Sequence, residues 1–375
     1  MRGSYSWIKH LNNNFWERVV RSTYLDLPSL SIFRIVAGIF LLASHMPSYG
    51  WIASVPKTFF SPPVFSIANM FHTFPGDTFF FILDCLILAS LAFVTLGIKA
   101  RVSSFIFFAC CLTGLSFQYS FGKISHVILA FMLFGCMAFS GWGRHLALWP
   151  DKATKTDDPA KCLSLFSVLI CFGMFSAGFE KAFVWLDFDL SFNGFLAWSQ
   201  DTIVNSKMHY LLAPYVKYFP HLMLELFDYT AVIFELSPLL FLLHSKRGWR
   251  LWLLVASIFH LANALLLNIP FPLHSIVYLV FIDFSWLHDK IKSRLINPRF
   301  RYGAIASVVL VALVRLVQIM IGQNIISAFF SIEGAALLNL YLSIMIWCIV
   351  IFLIARSVLS ESFSKGHQEP AKTYG

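Results

Sequence analysis

The stretch Phe175-Ser176-Ala177-Gly178-Phe179-Glu180-Lys181-Ala182-Phe183-Val184-Trp185 closes an apolar run that begins near residue 162. The run has roughly the 20 residues that an α-helix needs to cross a hydrocarbon core, and it stops on a Glu-Lys pair followed by an interface-seeking tryptophan. Reading it as a transmembrane helix decides the fold, because comparable runs recur near 29–49, 78–96, 102–120, 123–141, 226–244, 250–268, 270–286, 303–322 and 334–355. The expected fold class is all-α: a polytopic integral membrane helical bundle of about ten transmembrane helices.

Composition supports this reading. Hydrophobic side chains make up 58% of the 375 residues and charged ones only 13%, too apolar a balance for a soluble domain. The net charge of +9 falls in short clusters between the runs, which argues for orientation signals in a membrane and against a nucleic-acid partner. If the runs alternate in direction, twenty-one of the 28 Lys and Arg residues share one side and only Lys57, Lys123, Lys207 and Lys217 fall on the other. The positive-inside rule then puts both termini in the cytoplasm. The polar first 28 residues, with Trp7 and Trp16, read as an interfacial arm leading straight into the first span rather than as a cleaved signal.

Three basic residues remain inside apolar runs, Arg34, Lys181 and Arg315. On the alternating topology Lys181, His126 and His260 all lie in the outer half of the membrane, with Asn263 one turn beyond His260. Asp84 and Asp228 fall at comparable levels and Glu235 lies nearer the middle. Ionisable groups at such depths cost several kcal/mol unless paired or hydrated, so the set points to a wet or ligand-filled cavity opening outward. Each residue also has a structural reading. Lys181 can snorkel to the interface, His260 and Asn263 can bond neighbouring helices, His126 can cap a helix start, and Arg34 can snorkel inward or pair with a buried acid. The seven cysteines lie in or beside apolar runs and read as packing residues. No His-Glu-x-x-His or close Cys/His cluster suggests a metal.

Taken together, Arg34-Ile35, Ser125-His126-Val127-Ile128-Leu129, Ala177-Gly178-Phe179-Glu180-Lys181 with Trp185, and Phe259-His260-Leu261-Ala262-Asn263 with Ile269-Pro270-Phe271 resemble the vitamin K-dependent γ-carboxylase-like family, built on the horizontally transferred transmembrane (HTTM) domain. The resemblance covers roughly residues 20–290. It implies a division into an arm (1–28), an HTTM carboxylase-like domain (29–290), two additional transmembrane helices (291–355) and a cytoplasmic tail (356–375). It also implies that Lys181 stands where the family's base acts on a reduced quinone of the vitamin K or menaquinone type, and that His126 and His260 match the family's functional histidines. The chain departs from the family at Glu180, which stands in place of a second lysine and is a candidate counter-charge to Lys181. The resemblance is to the bacterial stand-alone type of HTTM protein, which is expected to lack the family's large lumenal propeptide-binding domain.

The expected function is an integral membrane enzyme that uses Lys181, His126 and His260 on a quinol, a peptide, or both, with Asn263, Glu180, Asp84, Asp228 and Glu235 around the cavity. The alternative is a non-catalytic membrane component for maturation, export or immunity of a secreted peptide, working with membrane or soluble partner proteins. Either would reside among the lipids of a bacterial cytoplasmic membrane.

Overall fold

The computed structural model describes residues 2–122, 124–187, 189, 193–206, 209–322 and 332–364. Of the basic residues counted above, Lys123, Lys207, Lys365 and Lys372 lie outside these. In chain order the helices are α1 (Arg2–Thr23), α2 (Leu27–Phe40), α3 (Asp77–Leu96), α4 (Ala100–Gln118), α5 (Ile128–Met137), α6 (Pro159–Trp185), α7 (Gly194–Ser206), α8 (His221–Leu236), α9 (Pro238–His244), α10 (Lys246–Leu267), α11 (His274–Leu279), α12 (Ser285–Leu295), α13 (Pro298–Ile321) and α14 (Ile332–Ser364).

Seven helical segments among the described residues are long and apolar enough to cross a membrane: Leu27–Ser54, α3, Ala100–Phe121, α6, α10, α13 and Glu333–Leu359. The pair α8 and α9 makes an eighth if it is one span bent by 48°. The chain is a multi-pass membrane protein. The expected count of about ten came from two further apolar runs, and each holds a short helix. Within 123–141 the chain turns through His126 and Val127, so that α5 has only 10 residues. Within 270–286 the prolines Pro270 and Pro272, which lack an N–H, precede α11, which has only 6 residues. Neither helix alone has the length of a crossing.

Local chemistry sets the other boundaries. Asp26 caps α2, its carboxylate accepting the Ser29 N–H at 3.0 Å, with Pro28 in the first turn. Ser245 caps α10 through the Gly248 N–H at 3.0 Å. Pro238 separates α8 from α9, because its ring cannot continue the hydrogen-bond ladder. The Phe234 carbonyl near that break instead accepts the Ser237 hydroxyl at 2.8 Å and the Trp252 indole N–H at 3.4 Å.

The chain divides into two compact units. The first comprises residues 1–24, 167–282 and 336–375, and the second 25–166 and 283–335. In the first, α1 lies against α9 and α10, and the Lys246 ammonium donates to the Tyr24 carbonyl at 3.1 Å. Stacked rings of Trp249, Trp252 and Phe234 fill the space between α8 and α10. A smaller apolar cluster of Phe195, Val216, Leu224 and Leu267 holds the segment around α7 to α8 and α10.

In the second unit α3 packs against α2, α4 and α13. Many of its phenylalanines serve as interlocking core rings, with Phe107, Phe134 and Trp142 in edge-to-face contact at 4.7 and 5.7 Å. Both of its intramembrane arginines satisfy backbone carbonyls at helix C-termini, and Arg34 reaches loop carbonyls as well. The Arg34 guanidinium is fully buried and donates to the carbonyls of Val94, Thr95 (3.1 Å), His145 (3.4 Å) and Leu146 (2.7 Å). Arg315 donates to Leu42 (2.8 Å) and Ala43 (2.7 Å), where α2 loosens into a π-turn. The snorkelling or acid-paired Arg34 expected from the sequence is replaced by a helix-end clamp. Carbonyls left over at a helix terminus need donors, and in lipid no water supplies them.

Candidate functional site

The site is built on α6 and α8 of the first unit. Gly178 lets these two helices approach closely, since a Cβ at that position would lie 2.8 Å from the Glu235 Cβ. Lys181, three residues on and therefore on the same face of α6, forms an ion pair and hydrogen bond from its Nζ to Glu235 Oε1. The Glu235 side chain is 5% exposed and that of Lys181 23%. The counter-charge to Lys181 is thus Glu235, while Glu180 takes an exposed face of α6. The other Glu235 oxygen, Oε2, is buried and has no hydrogen-bond partner among the described residues.

One further turn along α6, the Trp185 ring lies 5.2 Å from Lys181 Nζ in cation–π geometry. Its indole packs on Gly194 so tightly that a Cβ there would sit 2.2 Å from Trp185 Nε1. The start of α7 is held at that point by Asp228. Its two carboxylate oxygens accept the N–H groups of Gly194 and Phe195, both at 2.7 Å. These are two of the donors that a helix N-terminus leaves unsatisfied, and the negative charge also complements the helix dipole. Asn193 adds a bond of 3.0 Å to Glu225 and one of 3.2 Å to His221. Asp228, expected in the cavity, thus fixes the start of α7 in the segment that follows Lys181.

A second polar group lies among α10, α11 and α14. His260 is buried, its Nε2 lies 2.9 Å from the Tyr278 hydroxyl, and its ring stacks on Trp347 at 4.8 Å. Phe271 and His274 complete the ring cage at 5.1 and 5.2 Å. The Trp347 indole N–H and the Ser343 hydroxyl, one turn apart on α14, are buried without hydrogen-bond partners among the described residues. The Asn263 carbonyl accepts the Ile269 N–H at 3.2 Å as α10 ends.

The remaining expected residues belong to the second unit. Asp84 is buried and organises the chain after α2, accepting the N–H of Tyr49 (2.8 Å), the N–H of Gly50 (3.0 Å) and the Ser48 hydroxyl (2.9 Å). His126 lies in the turn before α5, where its carbonyl accepts the Leu129 N–H at 2.9 Å. Among the described residues no three His, Cys, Asp or Glu side chains converge as a metal site would require.

Sequence reasoning placed Lys181, Glu235 and His260 among the site residues and missed Tyr278, Trp347 and Ser343. A buried tyrosine or tryptophan in an aromatic-rich span has no local signature that separates it from packing. The spacing His274 to Tyr278, which puts both on one face of α11, was the available signal.

The arrangement brings together a part-buried ion pair, a carboxylate oxygen and an indole N–H without hydrogen-bond partners among the described residues, and close-packed aromatic rings. Comparison of the chain with protein-family models, with curated proteins and with solved structures finds no match.

Proposed function

We propose that this chain is an integral membrane enzyme of the vitamin K-dependent γ-carboxylase-like (HTTM) family. In this reading it performs acid-base chemistry on a quinol, a peptide substrate, or both, in a bacterial cytoplasmic membrane. The observation that carries the reading is the Lys181–Glu235 pair in an apolar bundle, with the buried Glu235 Oε2 unpartnered among the described residues. Buried carboxylate oxygens are seldom left without a donor, and such an oxygen is open to a ligand hydroxyl or a water.

The residues fit a planar, hydroxyl-bearing aromatic substrate. Trp347 and Phe271 pack around His260 as an aromatic surround, Glu235 Oε2 supplies an acceptor for a hydroxyl, and the Trp347 N–H supplies a donor for an oxygen. Oxidation of a reduced quinone by dioxygen to its epoxide and water would supply the base strength, beyond that of any side chain, needed to remove a γ-proton from a glutamyl residue. The chain's own part is to receive one proton and hold charge. The pair is neutral as a unit, whether the proton sits on Lys181 or on Glu235. After accepting a substrate proton it consists of a lysine ammonium beside a neutral glutamic acid, and the single positive charge then faces the anion it has created. His260, held by Tyr278, orients the substrate from the other side. His126 enters the proposal through the family resemblance alone.

The ion pair also favours a second reading, since a lysine neutralised by a carboxylate is a poorer base than a solitary one. In that reading the chain is a non-catalytic component for maturation or export of a secreted peptide, and the same groups bind a ligand. Purified protein in lipid, supplied with reduced menaquinone or vitamin K and oxygen, separates the two. Epoxide detected by mass spectrometry with the wild type and absent with Lys181→Ala supports the enzyme. No product from folded wild type, together with a partner-dependent change in the mass of an exported peptide, supports the component.

A further inference from the structure

The second unit carries a half-open cavity of about 670 Å³ bounded by α2, the C-terminal end of α3, the loop at 146–148, α12 and α13. This volume is within the range of specific small-molecule sites. Its walls are almost wholly aliphatic, with Ile39, Leu42, Leu295 and Val308 as examples, and no acidic residue lines it. Its two basic side chains are Lys292 on α12 and Arg301 near the start of α13. They belong to a segment, 285–301, that carries five basic residues against the single acid Asp289.

One wall is held in place by buried polar bonds. Arg34 ties the carbonyls of Val94 and Thr95, at the end of α3, to that of Leu146 on the loop. Leu146 adopts a left-handed backbone with φ of 48°, uncommon for a residue with a side chain. The facing wall is α13, which has no buried residue and touches protein mainly through α3, α12 and the π-turn after α2. The two walls leave an apolar slot with exposed residues at its edges, Ile39, Leu148 and Phe300 among them, and with cations near one end of α13.

We infer that this cavity is a binding site for an anionic phospholipid, whose acyl chain lies along α13 and whose phosphate headgroup is held by Lys292 and Arg301. Aliphatic walls recognise the chain through burial of apolar surface, and two lining cations without a lining acid select a negative head over a neutral one. The positive-inside reading puts this end at the cytoplasmic leaflet, where juxtamembrane basic clusters meet anionic lipid. The inference stands independently of the chemistry proposed for Lys181.

The test uses the full chain reconstituted in nanodiscs of phosphatidylcholine with a minor fraction of phosphatidylglycerol, and reads retained lipid by native mass spectrometry after transfer to mild detergent. The wild type is expected to retain phosphatidylglycerol preferentially. Lys292→Glu with Arg301→Glu should lower that preference about tenfold while leaving the elution profile of the protein unchanged. Ala304→Trp, which fills the slot without changing charge, should lose the lipid as well. Equal retention of both lipids by the wild type, or undiminished preference in both variants, overturns the assignment. So does retention of a neutral isoprenoid quinone that Ala304→Trp expels and charge reversal leaves in place, because the slot would then belong to that ligand.

Discussion

Lys181 on α6 is neutralised by Glu235 on α8, fifty-four residues away in sequence, and not by its immediate neighbour Glu180. Adjacent residues on a helix point about 100° apart, whereas two helices brought together at a glycine can place opposite charges end to end. The pair commits the bundle to a matched charge count, and removing either member leaves the other uncompensated. Lys181→Ala and Glu235→Ala are each expected to destabilise the protein by about 3 kcal/mol, and the double variant by less than the sum of the two. Thermal unfolding in detergent measures this cycle. Additive single effects would show that the two side chains do not interact.

Gly178→Ala should disturb the same pair indirectly. The new methyl would meet the Glu235 Cβ at 2.8 Å, so α6 and α8 must separate. A loss of about 1–3 kcal/mol is expected, with a parallel loss of any Lys181-dependent activity. Gly303→Ala, where nothing lies within 4 Å of the added methyl, provides the comparison. A melting temperature unchanged by Gly178→Ala would mean that close helix approach is not required there.

Arg34→Lys is predicted to be nearly as damaging as Arg34→Leu. The guanidinium spans carbonyls on two separate segments, and an ammonium cannot reach both with the same fork. Each loss should cost about 3 kcal/mol, since several buried carbonyls lose a charged donor. Proteolysis of the loop at 144–158 should accelerate together with the fall in melting temperature.

His145 provides a pH prediction outside the spans. Burial lowers its pKa below the ordinary 6.5, helped by the neighbouring positive groups of His288, Arg144 and Lys292 and opposed by Asp26. The folded state thus prefers the neutral ring and the unfolded state binds the proton more readily. The stability tied to this residue is full above about pH 6.5 and is lost as pH falls through the lowered folded value. Wild-type melting temperature should therefore drop between neutral pH and pH ~5, and His145→Gln should flatten part of that slope. A slope unaffected by the substitution would assign the acid sensitivity to other groups.

The site was partly legible from residue types alone. Lys181, Glu235 and His260 stood out because ionisable groups are rare in apolar spans. Their partners did not, because Tyr278 and Trp347 resemble any other buried ring until α11 and α14 are packed against α10. Asp84 and Asp228 were equally conspicuous by charge, yet each satisfies backbone N–H groups at a turn or helix start. Rarity marks a residue as constrained and does not say whether chemistry or architecture constrains it.

Membrane residence and the all-helical class follow from the amino-acid sequence by itself, because apolarity over about 20 residues is a local property and a backbone in lipid must bond within its own helix. The tertiary structure alone decided which apolar runs form helices long enough to cross, since turns and prolines shortened α5 and α11. It also decided which charges meet. Ion pairs and carbonyl clamps form between helices distant in sequence, and their geometry depends on helix packing, of which a glycine such as Gly178 is the only local trace.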